Sequence, residues 1–327
     1  MAGLGSTSPT PPAPTAGRTG RESTRHRPRV GVVKFASCDG CQLTILDLED
    51  ELLALTDRFE FVEFAEATSR RSSGPFDILF VEGSISTSEQ AIEIARLRAA
   101  TRILVTIGAC ATAGGIQALR TAAEHEAFRA AVYPVPAFVE SLAIASPVAD
   151  VVPVDIELRG CPIDGHQLVE LLTAVATGRR PQLPDQAVCL ECKRRGFECV
   201  VVTRGLPCLG PVTQTGCGAI CPGLARGCYG CFGPREGANV ESLASWYADG
   251  PATGGIAAPD VGRLFAGFTG ASPGFRRITD ALGGRPALPL LPTLARAPEA
   301  AVDRPPAWGD VRHDRADFRS EAGDAPG

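Results

Sequence analysis

Short β-branched and aromatic runs alternate with stretches of helical spacing through the first half of the chain. Val30–Phe35 is the first run, and Phe59–Phe64, Phe76–Val81, Ile103–Ile107 and Val151–Ile156 are four more. Between them, Leu43–Leu55 places Leu43, Leu46, Leu48, Leu52, Leu53 and Leu55 as an amphipathic helix would. Ser86–Ala100 reads as a second helix, capped by Thr87 or Ser88, and Asp164–Thr177 as another. Strands alternating with helices predict parallel pairing through right-handed crossovers. The fold class is therefore α/β, a flavodoxin-like doubly wound parallel sheet. Ligands of such sheets sit beyond the carboxyl ends of the strands, at the switch point.

This pattern stops near Pro181. Residues 189–234 are rich in Cys, Gly and Pro and show little periodicity, which predicts a Cys-rich, mostly irregular segment. Helical spacing returns at Asn239–Ala248, Val261–Phe268 and Phe275–Leu282. The chain thus divides into a tail (1–28) too poor in apolar residues to order, the sheet domain (29–180), a Cys-rich domain (181–285) and an extended C-terminal tail (286–327). Trp308 and Phe318 are the residues able to pin that last tail to a surface.

Composition narrows the function classes. The 327 residues are 44% hydrophobic and 21% charged, as in an ordinary globular protein. A net charge of −5 gives no basic footprint for nucleic acid. No run of eighteen apolar residues marks a membrane span. Residues 1–28 lack the apolar core of a secretory signal, and Arg70-Arg71 lies too far inside to be a twin-arginine signal. A cytoplasmic location is expected, where clustered thiols usually mean metal or redox chemistry.

There are twelve cysteines. Four follow predicted strands: Cys38 and Cys41 after the first, Cys110 after the fourth and Cys161 after the fifth. Topology would bring these together. The other eight run Cys189-x2-Cys192-x6-Cys199-x8-Cys208 and Cys217-x3-Cys221-x6-Cys228-x2-Cys231, two consecutive fours. Four thiolates suit tetrahedral zinc or an iron–sulfur cubane, and a disulfide framework is the weakest option without a secretory signal. Proline just after Cys161 and Cys221, and in Cys208-Leu209-Gly210-Pro211, leans toward iron–sulfur, as does a thiol set spread over strand ends. Grouping by order is open, since ferredoxins exchange a ligand between clusters and Cys208 and Cys231 could be crossed. Gly40, Gly108, Gly160, Gly216, Gly218, Gly227 and Gly230 flank the thiols, either for tight turns or to free backbone N–H groups for sulfur.

Phe-Ala-Ser-Cys-Asp-Gly-Cys-Gln (35–42), Val-Glu-Gly-Ser (81–84), Gly-Ala-Cys-Ala-Thr-Ala-Gly-Gly-Ile (108–116), Arg-Gly-Cys-Pro-Ile-Asp-Gly (159–165) and the Cys-rich run 216–234 resemble the small subunit of NiFe hydrogenases. The likeness is to the soluble cytoplasmic branch, the delta subunit of sulfhydrogenase-type, NAD(P)-linked enzymes. It covers about residues 30–234. The resemblance implies three 4Fe–4S clusters: a proximal one on Cys38, Cys41, Cys110 and Cys161, a distal one on Cys189, Cys192, Cys199 and Cys208, and a medial one on Cys217, Cys221, Cys228 and Cys231. Membrane-bound relatives put a histidine at one distal position and a proline at one medial position; this chain has cysteine at both. It further implies a NiFe hydrogenase large subunit as partner, holding the nickel–iron site, and flavin/iron–sulfur NAD(P)-reducing subunits that take the electrons. The chain would not be catalytic alone.

Glu82 ends the third strand and is the carboxylate with a functional case, as a proton path or an organiser of the subunit contact. Asp39 and Asp164 are expected to stabilise turns, Gln42 to cap the following helix, and His166 to lie exposed. Tyr229 and Phe232 are expected to shield a cluster. Three competing readings are a quinone-linked 20 kDa subunit of respiratory complex I, a zinc-stabilised binding module and an FMN flavodoxin. The complex I subunit usually has adjacent cysteines in place of the CxxC and lacks the eight-cysteine segment. The flavodoxin would need a phosphate-cradling loop where Ser37-Cys38-Asp39-Gly40 stands.

Overall fold

The computed structural model describes residues 27–122, 124–250 and 254–283. The expected tails, 1–28 but for its last two residues and 286–327 with Trp308 and Phe318, lie outside the described residues. Five strands, β1 (Arg29–Lys34), β2 (Glu60–Phe64), β3 (Phe76–Glu82), β4 (Thr101–Ile107) and β5 (Ile156–Leu158), form one sheet in the order β2-β1-β3-β4-β5. All neighbours are parallel, with Val30 beside Ile78 and Ile78 beside Ile103. This is the flavodoxin-like order, and the switch point lies between β1 and β3.

Six helices accompany the sheet: α1 (Gly40–Leu46), α2 (Asp50–Arg58), α3 (Ser88–Ala99), α4 (Gly108–Ala113), α5 (His125–Val132) and α6 (Gly165–Ala176). Strand residues alternate between two buried faces. Val30, Val32, Ile78, Phe80, Val105 and Ile107 pack with Ile45 of α1, Leu55 of α2 and Leu168, Leu171 and Leu172 of α6. Leu79, Val81 and Leu104 pack on the other side with Ile94 and Leu97 of α3 and with Val148 and Val152. Burial of both faces explains why the strands read as continuous apolar runs. Thr87 caps α3 in a reciprocal box with Gln90, and Asp164 caps α6.

Two elements depart from the periodicity. Leu43–Leu55 is two helices, broken where Glu49 takes φ 45°. Leu46 and Leu48 would point about 200° apart on one straight helix. The break lets both pack on the α1/α2/α6 core. The expected strand Val151–Ile156 is instead β5 at Ile156–Leu158. Pro153 has no N–H for a ladder, and Val151, Val152 and Val154 pack beneath the second face. Asp155 then starts the pairing: its N–H donates to the Leu104 carbonyl and its carboxylate accepts from the Leu104 N–H.

The remainder holds three short helices, α7 (Val188–Arg194), α8 (Val200–Arg204) and α9 (Ile220–Gly223), then α10 (Val240–Asp249), α11 (Ala258–Phe265) and α12 (Pro273–Leu282). The last three bury Tyr247, Val261, Phe265, Phe275 and Ile278 around Leu209 and Val212. The three helices expected in this stretch thus exist, with ends displaced by no more than three residues. Arg159 fastens the two parts, donating from Nη1 to the Pro234 carbonyl at 2.9 Å.

Candidate metal centres

The first four thiols lie where the sheet topology requires. Cys38 lies in the turn after β1 and Cys41 in the first turn of α1, with Asp39 between them at φ 67° and its carboxylate accepting a hydrogen bond from Lys34 Nζ. Cys110 lies in α4, directly after β4, and Cys161 follows β5. The backbone ties these loops together: Phe35 N–H donates to the Glu82 carbonyl at 2.8 Å, and Ala109 N–H to the Gly160 carbonyl at 2.6 Å. A Cβ on Gly108, at φ +82°, would stand 2.4 Å from Cys41 Sγ, so only glycine lets the β4 loop close over that thiol.

These thiols are near enough to act on one another. Burial, then the Glu82 carboxylate, holds the Cys41 thiol far above the usual range, and Cys110 and Cys161 add to it. Cys110 is pushed up to about 11, mainly by burial, against a hydrogen bond from Gln117 and with contributions from Cys161 and Cys38. Cys161 is raised by burial first and then by Cys38. Glu82, 1% exposed, lies under the turn. Its Oε1 accepts from Cys41 N–H at 3.1 Å and its Oε2 from Gln42 Nε2 at 3.0 Å. Burial raises the Glu82 carboxyl against those two donors. Gln42 is therefore not a helix cap: its side chain is wholly buried and holds the glutamate.

Cys189 and Cys192 lie on α7, Cys199 directly precedes α8 and Cys208 lies in the following loop. Cys189 is pushed up to about 11 by burial and then by Cys208, Cys192 and Cys199 in that order. A Cβ on Gly210 would lie 3.3 Å from Cys208 Sγ and 3.5 Å from Cys189 Sγ, so those two sulfurs flank one glycine. Tyr247 clamps the loop. Its hydroxyl donates to the Cys208 carbonyl at 2.6 Å and accepts from Cys208 N–H at 2.7 Å.

In the last four, Cys231 is pushed up to about 12 by burial, then by Cys217, Cys161 and Cys221. Cys228 N–H donates to Cys208 Sγ at 3.1 Å. Cys231 thus neighbours Cys161 of the first four, and Cys208 neighbours Cys221 and Cys228 of the last four.

All twelve cysteines are free thiols. Among the described residues no three His, Cys, Asp or Glu side chains close on a point as the ligands of a single ion do. The donor chemistry fits iron–sulfur ligation: sulfur only, most of it at least partly sheltered, with Cys41, Cys208 and Cys228 buried, and backed by glycines at Gly108 and Gly210 that leave room beside it.

Phe232 is buried and its ring meets the backbone at Gly160 and Gly216, whereas Tyr229 is half exposed. The His166 side chain is 99% exposed. Asp164 holds the start of α6 through Gln167 N–H at 3.1 Å. Sequence reasoning missed Tyr247 and the Gln117 amide, which also donates to the Ala36 carbonyl at 2.9 Å. It missed Gln167 too, whose buried Nε2 beside Gly216 lacks a hydrogen-bond partner. Tyr247 stands 39 residues from Cys208 and no local motif marks it, whereas Gln117 lies just past the 108–116 motif that carries Cys110.

The family described as NADH ubiquinone oxidoreductase, 20 Kd subunit, matches residues 38–175. The match ends before the eight-cysteine segment. The sulfhydrogenase 2 subunit delta of Pyrococcus furiosus is 39% identical over 215 residues, 66% of this chain and 90% of that protein. The NAD-reducing hydrogenase HoxS subunit delta of Cupriavidus necator is 29% identical over 191 residues, 54% of this chain and 88% of that protein. A solved NAD+-reducing [NiFe]-hydrogenase chain in the H2-reduced state is similar over 48% of this chain and 96% of its own, at 29% identity and a TM-score of 0.46. With a sheet of flavodoxin-like order, thiols at its carboxyl edge and a delta subunit matched over nearly its whole length, the chain belongs to the family of hydrogenase small subunits.

Proposed function

We propose that this chain is the electron-transferring small subunit of a NiFe hydrogenase and holds three 4Fe–4S clusters. Cys38, Cys41, Cys110 and Cys161 would hold the proximal one, Cys217, Cys221, Cys228 and Cys231 the medial one, and Cys189, Cys192, Cys199 and Cys208 the distal one. When bound, such clusters supply one-electron carriers whose potentials follow ligation, burial and hydrogen bonds to sulfur. The observation that supports the reading is the adjacency of thiols from different groups. Cys161 neighbours Cys231, and Cys208 neighbours Cys228, so the thiols line a path from the sheet's edge to the exposed Cys199.

The chain's own residues then have separable tasks. Glu82 and Gln42 fix the Cys41 turn, Tyr247 fixes the Cys208 loop, and Phe232 packs against Gly160 and Gly216. On this reading dihydrogen is split on a large subunit, and electrons leave to a flavin/iron–sulfur partner that reduces NAD(P)+. Glu82 would connect the subunit contact to the proximal site, as a proton path or as its organiser. The division into a sheet domain (29–180) and a Cys-rich domain (181–285) belongs to the same proposal, as does a cytoplasmic location. Among the described residues no helix is long and apolar enough to cross a membrane.

The test is anaerobic purification of the native complex with counts of iron, nickel and zinc, and spectroscopy before and after dithionite. Three cubanes in this chain, with visible absorbance that bleaches on reduction, are expected. Nickel with only one cubane's iron would refute the three-cluster assignment, and zinc in their place would refute the electron path.

A further inference from the structure

The lobe bearing the Cys189–Cys208 group has a surface unlike the rest of the chain. Overall there are 32 Lys and Arg against 37 Asp and Glu. Between Val188 and Cys228 there are five cations, Lys193, Arg194, Arg195, Arg204 and Arg226, against two carboxylates, Glu191 and Glu198. All five cations are exposed. Among the described residues none of them forms an ion pair, although eleven pairs of Lys or Arg with a carboxylate occur elsewhere. Glu191 is engaged by the Thr215 hydroxyl.

Apolar side chains stand uncovered among these charges: Val202 is 82% exposed, Leu224 69% and Ile220 59%. The loops carrying them touch. Phe197 lies against Gly223, the Pro207 carbonyl against Gly227, and the Arg195 guanidinium against Gly218. Cys199, the exposed thiol of its group, lies on the same lobe. Unpaired cations around exposed aliphatic groups form the polar rim and apolar centre of a protein contact, and the sign of the rim selects the partner.

We propose that this lobe is the docking face for an acidic electron-carrier protein or subunit, steered by Lys193, Arg204 and Arg226 and seated on Val202, Ile220 and Leu224. The inference rests on the electron-path reading, since it places the exit for electrons at Cys199. One electron would pass from the group nearest the surface to the oxidised carrier, the electrons coming from dihydrogen oxidised on the large subunit.

The chain has only two lysines, which makes the test local. Lys34 is paired with Asp39 and Glu66, whereas Lys193 is unpaired. In the purified native complex, a zero-length carbodiimide should join Lys193 to an Asp or Glu of another subunit. In a parallel sample, Lys193 should resist acetylation. The double variant Arg204→Glu/Arg226→Glu should weaken retention of the acceptor subunit by about tenfold or more at low salt, with a smaller loss in high salt.

A complex with its iron–sulfur signals and hydrogen-driven electron flow intact, but with Lys193 freely acetylated and retention unchanged in the double variant, would overturn the docking face alone. A cross-link from Lys193 to a second copy of this chain would overturn it too. Zinc in place of iron would instead remove the reading on which it rests. Should the double variant fold poorly, the cross-link and the salt dependence of the wild-type complex still decide.

Discussion

Gln42 donates its side-chain amide to Glu82 at 3.0 Å, and the two buried residues meet beneath the turn that carries Cys38 and Cys41. The second Glu82 oxygen takes the Cys41 N–H, so one carboxylate fixes both the backbone and the side chain of the turn. Glu82→Gln puts an amide where two donors already point. A loss of about 1–3 kcal/mol is expected, the cost of stranding a buried donor. Denaturant midpoints of the loaded protein measure it, and an unchanged midpoint would show that the turn does not depend on the carboxylate.

Tyr247 holds Cys208 from a helix that bears no thiol. Tyr247→Phe leaves the Cys208 N–H and carbonyl without their hydroxyl partner, at about 1–3 kcal/mol for each stranded group. Iron loss is expected to be confined to the Cys189–Cys208 group. Loss from all three groups equally would point to general unfolding instead.

Gly108→Ala should be far more damaging than an alanine at a glycine of similar backbone. The added carbon would meet Cys41 Sγ at 2.4 Å, whereas Gly196, at φ +71°, has nothing within 4 Å. Gly196→Ala is expected to cost only left-handed backbone strain, about 1–2 kcal/mol. The excess at position 108 should appear as a lower iron-to-protein ratio, measured side by side on the two variants.

Acid sensitivity has a local marker on the surface. Hydrogen bonds from Arg179, then from Gln182 N–H, hold Glu170 down at about 2. A depressed carboxyl contributes stability that is present above its ordinary range, about 4.3, and lost as pH falls toward 2. Glu170→Gln should therefore lower stability at neutral pH, by less than about 1 kcal/mol given solvent screening, and the difference should vanish below pH ~2. Melting curves of both proteins across that window decide it.

Most of the sheet was legible because burial on both faces writes itself as apolar runs, and the thiols at its edge followed from topology. Pro153 could have warned that Val151–Ile156 was not a strand. The break before Asp50 was harder to read, since each half of Leu43–Leu55 is helical and only contact with α6 separates them. The roles of Gln42 and Tyr247 were illegible for another reason: Gln42 adjoins Cys41 but its partner Glu82 stands 40 residues on, Tyr247 stands 39 residues from Cys208, and no spacing reveals such neighbours. Glu82 was found because it ended a strand.

Cys41 is both a side chain of the α1/α2/α6 core and a thiol of the first group. A centre bound there would fasten loops from Cys38 to Cys161, closing the largest span of chain in the sheet domain, and such a closure stabilises more as the span lengthens. Metal loading and consolidation of the sheet then become one cooperative event. On the proposed iron–sulfur reading, stripping the iron would loosen the sheet as well as cut the electron path, and iron starvation would lower the protein's stability along with its activity.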